Sequence, residues 1–177
     1  MSSAPVVRPA VPADLPAIQR IYAHHVLNGL ASFEEVAPDL TEMKRRFTAL
    51  VEAGYPYIVA DVEGRVLGYA YCGPYRPRPA YRYSVENSVY LAPEAARRGI
   101  GRTLLSTLIE RATALGKRQM IAVIGDGANL ASIGLHEALG FRRVGTIEGA
   151  GFKHGRWVDS VLMQRALGPG QAAPPTA

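Results

Sequence analysis

The stretch Val89-Tyr90-Leu91-Ala92-Pro93-Glu94-Ala95-Ala96-Arg97-Arg98-Gly99-Ile100-Gly101-Arg102 decides the reading of this chain. Val89 to Leu91 close a strand-like run. Pro93 and two glycines break it, and Ile100 opens a helical pattern in which Leu104, Leu105, Leu108, Ile109 and Ala112 make one apolar stripe. The first N–H groups of a helix lack internal partners and carry the positive end of its dipole. Glycines let an anion approach that backbone closely, and Arg97, Arg98 and Arg102 add charge, so the turn reads as a pyrophosphate cradle. No Gly-Lys-Ser/Thr follows, which excludes a nucleotide P-loop, and the three-glycine dinucleotide spacing is absent. The plainer reading is a helix start with surface arginines.

Working outward, Val6–Arg8 reads as a short strand, and Asp14 as the N-cap of a helix carrying Ile18, Ile21, Tyr22 and Val26. A second helix is expected from Asp39 or Thr41 to Gly54. Tyr57–Val62 and Val66–Tyr75 flank a Glu63-Gly64 turn as an antiparallel pair. Arg76-Pro77-Arg78-Pro79 reads as a loop, since two prolines cannot sit inside a central strand. Strands are expected at Ser84–Leu91 and Met120–Ile124, helices at Ile100–Leu115 and Ala131–Leu139, and a closing strand pair at Val144–Glu148 and Val158–Gln164. The order β-α-α-β-β-β-α-β-α-β-β predicts an α/β fold with a mixed sheet.

The chain has 177 residues, 48% hydrophobic and 20% charged, which excludes a disordered or membrane-embedded chain. Its net charge of +5 is unevenly placed: nine basic and nine acidic residues precede Val89, and eleven basic and six acidic follow from there. That bias points to a local anionic partner. No apolar run approaches a transmembrane span or a signal peptide, and the single cysteine, Cys72, fits a reducing cytoplasm. Cys72 reads as core filler, and His24-His25 lacks the spacing or companions of a metal site; no metal is expected. Gly168–Ala177 (GPGQAAPPTA) is expected to be a disordered tail.

The segment Ala96-Arg97-Arg98-Gly99-Ile100-Gly101 resembles the signature of the GNAT superfamily of acyl-CoA-dependent N-acetyltransferases, which is Gln or Arg, two residues, Gly, one residue, then Gly or Ala. Ala96 departs from it at the first position. Asn129-Leu130-Ala131-Ser132 with Leu135-His136-Glu137-Ala138-Leu139-Gly140-Phe141 is similar to the superfamily's second cofactor segment. Three further pieces resemble its phosphinothricin and methionine sulfoximine N-acetyltransferase group. They are Tyr81-Arg82-Tyr83-Ser84-Val85-Glu86-Asn87-Ser88-Val89-Tyr90-Leu91; Ala53-Gly54-Tyr55-Pro56 with Gly68-Tyr69-Ala70; and Lys153-His154-Gly155-Arg156-Trp157-Val158-Asp159. The resemblance implies a GNAT-type mixed, mostly antiparallel sheet of about seven strands flanked by about four helices, in one acetyltransferase domain over residues 1–167.

It also implies roles. Acetyl-CoA would lie with its pyrophosphate on Arg97, Arg98, Gly99, Ile100, Gly101 and Arg102, and its pantetheine arm along Val89, Tyr90 and Leu91 and against Asn129 and Ser132. Glu86 would be the general base, since a partly desolvated carboxylate can take the amine's proton. His136, standing where many relatives have Tyr, would protonate the leaving thiolate or else sit passively on a short helix. Arg76, Pro77 and Arg78, with Glu86, Asn87 and Ser88, would line the substrate pocket, and a guanidinium there suits a carboxylate. Phe33, Lys153 and Trp157 would wall or cover it, in part across a homodimer interface, with packing as their alternative role.

The expected function is therefore direct acetyl transfer from acetyl-CoA to the α-amino group of a small amino-acid-like substrate of the methionine sulfoximine, methionine sulfone or phosphinothricin type. A GNAT enzyme of another amine, such as a peptide N-terminus, is the first rival. A nucleic-acid-binding or silent CoA-binding module is the second. Against nucleic acid, the arginines cluster at one turn and no basic stretch is interleaved with aromatics. Neither nucleic acid nor membrane is expected as a partner.

Overall fold

The computed structural model describes residues 4–175. Met1 to Ser3, at the start of the expected domain, and Thr176 and Ala177, at the end of the expected tail, lie outside the described residues. The elements run β1 (Val6–Pro9), α1 (Leu15–Asn28), α2 (Leu40–Glu52), β2 (Tyr57–Val62), β3 (Arg65–Pro74), β4 (Ser84–Leu91), α3 (Ile100–Ala114), β5 (Gln119–Gly125), α4 (Leu130–Ala138), β6 (Arg142–Lys153) and β7 (Arg156–Ala166), in the order expected. Seven strands form one sheet in the order β1-β2-β3-β4-β5-β7-β6. Every neighbouring pair is antiparallel except β4 and β5.

Strand alternation sorts side chains onto two faces. Toward α1 and α2 point Tyr57, Tyr69, Tyr71, Ser88 and Tyr90, paired across the ladders. Tyr90 meets Tyr22 of α1 edge to face at 5.0 Å, and Tyr57 meets Phe47 of α2 at 5.1 Å. The other face carries Ala70, Val85, Met120, Ala122 and Met163, all buried with Leu104, Leu105 and Leu108 of α3. The sheet is thus a middle layer between two helix pairs.

Local chemistry sets the helix starts. Asp39 caps α2 by accepting from the Glu42 N–H at 2.8 Å. Asp14 stands at the N-cap position of α1 as expected, but its carboxylate serves other partners. Arg8 grips it through two bonds of 2.8 and 2.9 Å and also reaches Asp61 of β2, so β1, β2 and the start of α1 share one ion cluster. That pairing lowers the Asp14 pKa and raises that of Arg8.

Two differences from expectation have clear causes. Strands β6 and β7 run well beyond the residues expected, and β6 extends to Lys153. Bulges between Arg143 and Gly145 and between Ile147 and Gly151 break the period-two pattern by which the strand would have been recognised. The segment after Leu167, expected to lack order, turns back on the ends of β5 and β7: Gly170 is buried against Ala166, and Arg118 donates to the carbonyls of Gly170 and Pro174 at 3.3 and 3.0 Å.

The loop from Gly29 to Asp39 is built onto the sheet. Lys153 is buried and donates to the Ser32 carbonyl at 2.6 Å, the Tyr22 hydroxyl bridges Ser32 and Glu34, and Arg46 of α2 holds Glu34 at 2.6 Å. The Leu30 carbonyl comes so close to Gly125 that no Cβ fits between them, and the Phe33 ring lies over Gly151 in the same way. Gly125→Ala should therefore push this loop off β5. Overpacking of this kind costs about 1–3 kcal/mol, and calorimetry should find Tm lowered by about 2–12 °C. An unchanged Tm would contradict the seating of the loop.

Candidate active site

Beyond the pairs Ser84↔Gln119 to Asn87↔Ala122, strands β4 and β5 part. The Ala92 N–H donates to Leu67 of β3, so by alternation the backbone groups of Val89 and Leu91 face the opening. The gap continues into a cleft of about 630 Å³ lined by Val89, Tyr90, Leu91, Ala96, Asn129 and Ser132 among others, with Gly29 to Ala31 of the anchored loop on its far side.

The glycine turn stands at one end of this cleft. Gly99 is the N-cap of α3 with φ 75°, and Arg97 also takes a left-handed conformation, φ 60°. For a non-glycine residue that geometry costs about 1–2 kcal/mol. Gly101 packs within van der Waals reach of Leu91 and Leu135, both cleft residues, which brings the first-turn N–H groups of α3 to the cleft. Asn129 caps α4 by accepting from the Ser132 N–H at 3.2 Å through Oδ1. Arg97, Arg98 and Arg102 are all exposed at the turn.

Glu86 and Asn87 are adjacent on β4 and so face opposite sides. Glu86 shares the α1/α2 face with Ser88 and is half-buried beside Gly73 and Ile121. Burial pushes its pKa up, partly offset by the Arg76 guanidinium. Ser88 stands directly across from Tyr71 of β3 on the same face. Asn87, expected in the substrate pocket, instead points toward α4: its amide meets His136 Nε2 at 3.0 Å in the buried layer.

That contact bears on the two roles expected of His136. The ring is 4% exposed. Its Nδ1 donates to the Ser132 carbonyl at 2.8 Å, and its Nε2 accepts from Asn87. Desolvation lowers its pKa, so the ring is neutral with its one proton already committed to a carbonyl. It braces α4 against β4, and it lines the small cavity where β4 and β5 part.

The remaining predicted residues divide. Arg76, Pro77 and Arg78 lie exposed beyond β3, with Arg76 over the Tyr75 ring at 5.2 Å. Phe33 covers the glycines at the β5 and β6 ends of the cleft. Lys153 ties the loop down as described. Trp157 stands 70% exposed against Phe152 at 5.2 Å, on the opposite face of β7 from the buried Val158 and Ser160. Among the described residues, it is not one that lines the cleft.

Comparison with known proteins gives this geometry a family. Residues 7–162 match the acetyltransferase (GNAT) domain. The chain belongs to the GNAT acetyltransferase family. It is 56% identical to the phosphinothricin N-acetyltransferase of Alcaligenes faecalis over 162 residues, 92% of this chain and 82% of that one. It is 45% identical to the L-methionine sulfoximine/L-methionine sulfone acetyltransferase of Pseudomonas paraeruginosa, over 95% of this chain and 98% of that protein. The crystal structure of a GNAT phosphinothricin acetyltransferase from Sinorhizobium meliloti in complex with acetyl-CoA superposes with a TM-score of 0.95. It has 54% identity and covers 98% of this chain and 94% of that one.

GNAT acetyltransferases use acetyl-CoA, and the cleft suits it. The α3 N-terminus offers N–H donors for a pyrophosphate, and the unpaired edge of β4 offers backbone groups for an amide-bearing arm. Sequence reasoning missed several residues that shape the site: Tyr22, Glu34 and Arg46 in the loop clamp, Tyr71 beside Ser88, and His25. For Tyr22, Arg46, Tyr71 and His25 the only signal was position on a helix or strand, and Glu34 in its loop carried none, because their partners are distant in sequence.

The buried carboxylate has a cost that pH reveals. Glu86 binds its proton more tightly folded than unfolded, so ionising it destabilises the fold as pH rises above the ordinary carboxylate range. Glu86→Gln should raise Tm relative to wild type at pH 7, and the gain should shrink as pH falls toward 4. Equal Tm values at every pH would contradict the burial of Glu86.

Proposed function

We propose that this enzyme acetylates the α-amino group of a small amino-acid-like substrate, of the methionine sulfoximine, methionine sulfone or phosphinothricin type, by direct transfer with Glu86 as general base. The observation that carries this reading is a half-buried carboxylate with a raised pKa, on the strand whose free edge lines the cleft. The names of the relatives at 56% and 45% identity support the substrate class.

Acetyl-CoA, when bound, supplies the activated acetyl group. The chain's residues do the rest. Arg97, Arg98, Arg102 and the amides of Gly99 to Gly101 hold the phosphates. The N–H groups of Val89 and Leu91 face the gap and are aimed to stabilise negative charge developing on a carbonyl oxygen. Arg76 pairs with the substrate's carboxylate beside Glu86. Glu86 takes a proton from the ammonium, directly or through water, and frees the lone pair that attacks. Water returns a proton to the leaving thiolate, since His136 is committed elsewhere. No covalent acyl-enzyme forms: the single thiol, Cys72, is fully buried with its pKa pushed up to about 12.

The enzyme works in a reducing cytoplasm and pairs as a homodimer. The exposed Phe152 and Trp157 rings, with Ile147 and Val144 also exposed on β6, support that partner. Light scattering on wild type and Trp157→Asp should give dimer and monomer masses; a wild-type monomer would remove the dimer.

The substrate and mechanism are tested by acetyl-CoA-dependent thiol release over a panel of methionine sulfoximine, methionine sulfone, phosphinothricin, common amino acids and peptides. The sulfoximine, sulfone or phosphinate compounds should lead. Glu86→Gln should lower kcat/KM by about 10²–10⁴ and abolish the acid limb of the pH profile, which in wild type lies above the ordinary carboxylate pKa. Cys72→Ala should stay within about twofold of wild type. Activity intact in Glu86→Gln, or lost in Cys72→Ala, would overturn the mechanism.

A further inference from the structure

We propose that Asp126 is a positioning residue that fixes the loop against which the amide-bearing arm of acetyl-CoA lies. This rests on the acetyl-CoA reading of the cleft. Among the described residues, four non-glycines take left-handed φ values: Glu63, Arg97, Asp126 and His154. Glu63 and His154 each precede a glycine in a two-residue hairpin, β2–β3 and β6–β7, where the turn itself demands that conformation. Arg97 and Asp126 close no hairpin. Arg97 belongs to the glycine turn at the end of the cleft, and Asp126, φ 70°, lies on the cleft wall between β5 and α4. A left-handed non-glycine persists only where its surroundings hold it, and such residues gather at ligand clamps.

Asp126 is held from several sides. Its N–H donates to the Asp159 carbonyl of β7 at 2.9 Å. Its Oδ1 accepts from the Ala128 N–H at 3.0 Å and its carbonyl from the Asn129 N–H at 3.0 Å, so side chain and backbone together wind the turn. Its Oδ2 accepts from Arg156 of β7 at 3.1 Å. The turn ends on Asn129, which also lines the cleft. Asn129 spends Oδ1 on the Ser132 N–H, which leaves its amide N–H groups to meet a carbonyl of a bound arm. Asp126 therefore acts on the cofactor through Asn129. Of its two side-chain contacts, the bond to Ala128 is the one that shapes the loop. Arg156 is 58% exposed, and an exposed ion pair contributes little.

The bond, the charge and the left-handed backbone are separable by substitution. Asp126→Asn keeps an Oδ1 acceptor and tolerates left-handed φ but removes the charge. Asp126→Gly favours that φ and removes the bond. The calorimetric Kd for acetyl-CoA should rise about three- to tenfold in Asp126→Ala and Asp126→Gly, the range of one lost hydrogen bond. Asp126→Asn and Arg156→Ala should stay within about twofold of wild type. In Asp126→Gly the KM for acetyl-CoA should rise with Kd while kcat stays within about twofold, the mark of lost uniform binding. The glycine variant carries the test if the alanine variant does not fold. Wild-type affinity in Asp126→Gly would overturn the proposal, as would Asp126→Asn or Arg156→Ala binding as weakly as Asp126→Gly. The calorimetry needs no amine, so an error in the proposed substrate leaves it standing. A wild-type protein that binds no acetyl-CoA would overturn the reading of the cleft and this proposal with it.

Discussion

Everything in this fold turns on where the β4–β5 ladder stops. Two parallel strands pair as far as Asn87 and Ala122 and then separate. An open sheet edge in the middle of a domain leaves backbone donors and acceptors without partners, which is costly unless something else meets them. The surrounding elements divide that task. The His25 ring takes the Leu91 carbonyl, the Asn87–His136 contact bridges β4 to α4, and the first turn of α3 packs against Leu91 through Gly101. What is left unmet is a slot with an electropositive end, which is the shape of an extended ligand with a phosphate at one terminus.

The site also shows how stability is balanced against chemistry. Glu86 is retained in a partly dry position, where its charge is unfavourable. The cost is carried by a well-tied frame: the Arg8–Asp14–Asp61 cluster at the sheet's first edge, the tyrosine row across β2, β3 and β4, and the loop clamp of Tyr22, Glu34, Arg46 and Lys153. Two predicted participants turn out to belong to that frame. Lys153 anchors the loop from beneath, and His136 locks α4 while lining the small cavity where β4 and β5 part.

Much of this was legible in the sequence because it is local. Helix stripes, the start of α2 near Asp39, the Glu63-Gly64 turn and the strand-to-helix passage through Gly99 are written in neighbouring residues, and the order of elements followed from them. Glu86 was legible as a carboxylate where a strand would otherwise carry Val, Ser and Tyr. The ends of β6 were not, because glycine-rich bulges erase its alternation. The orientation of Asn87 toward α4 was not, because it depends on a histidine 49 positions away. His25 was hidden for the same reason: it looks like one more member of the α1 stripe, and its partner is the backbone of a strand 66 residues on.

The central claim is that the free edge of β4 is where acetyl-CoA lies. Residue-resolved amide exchange tests it most directly. The Val89 and Leu91 N–H groups should exchange rapidly in the free protein and become protected when acetyl-CoA is added at saturating concentration, while Ala92, already bonded to Leu67, changes little. If acetyl-CoA binds by calorimetry yet leaves Val89 and Leu91 exchanging at their free rates, the cofactor lies elsewhere and this account of the cleft is wrong.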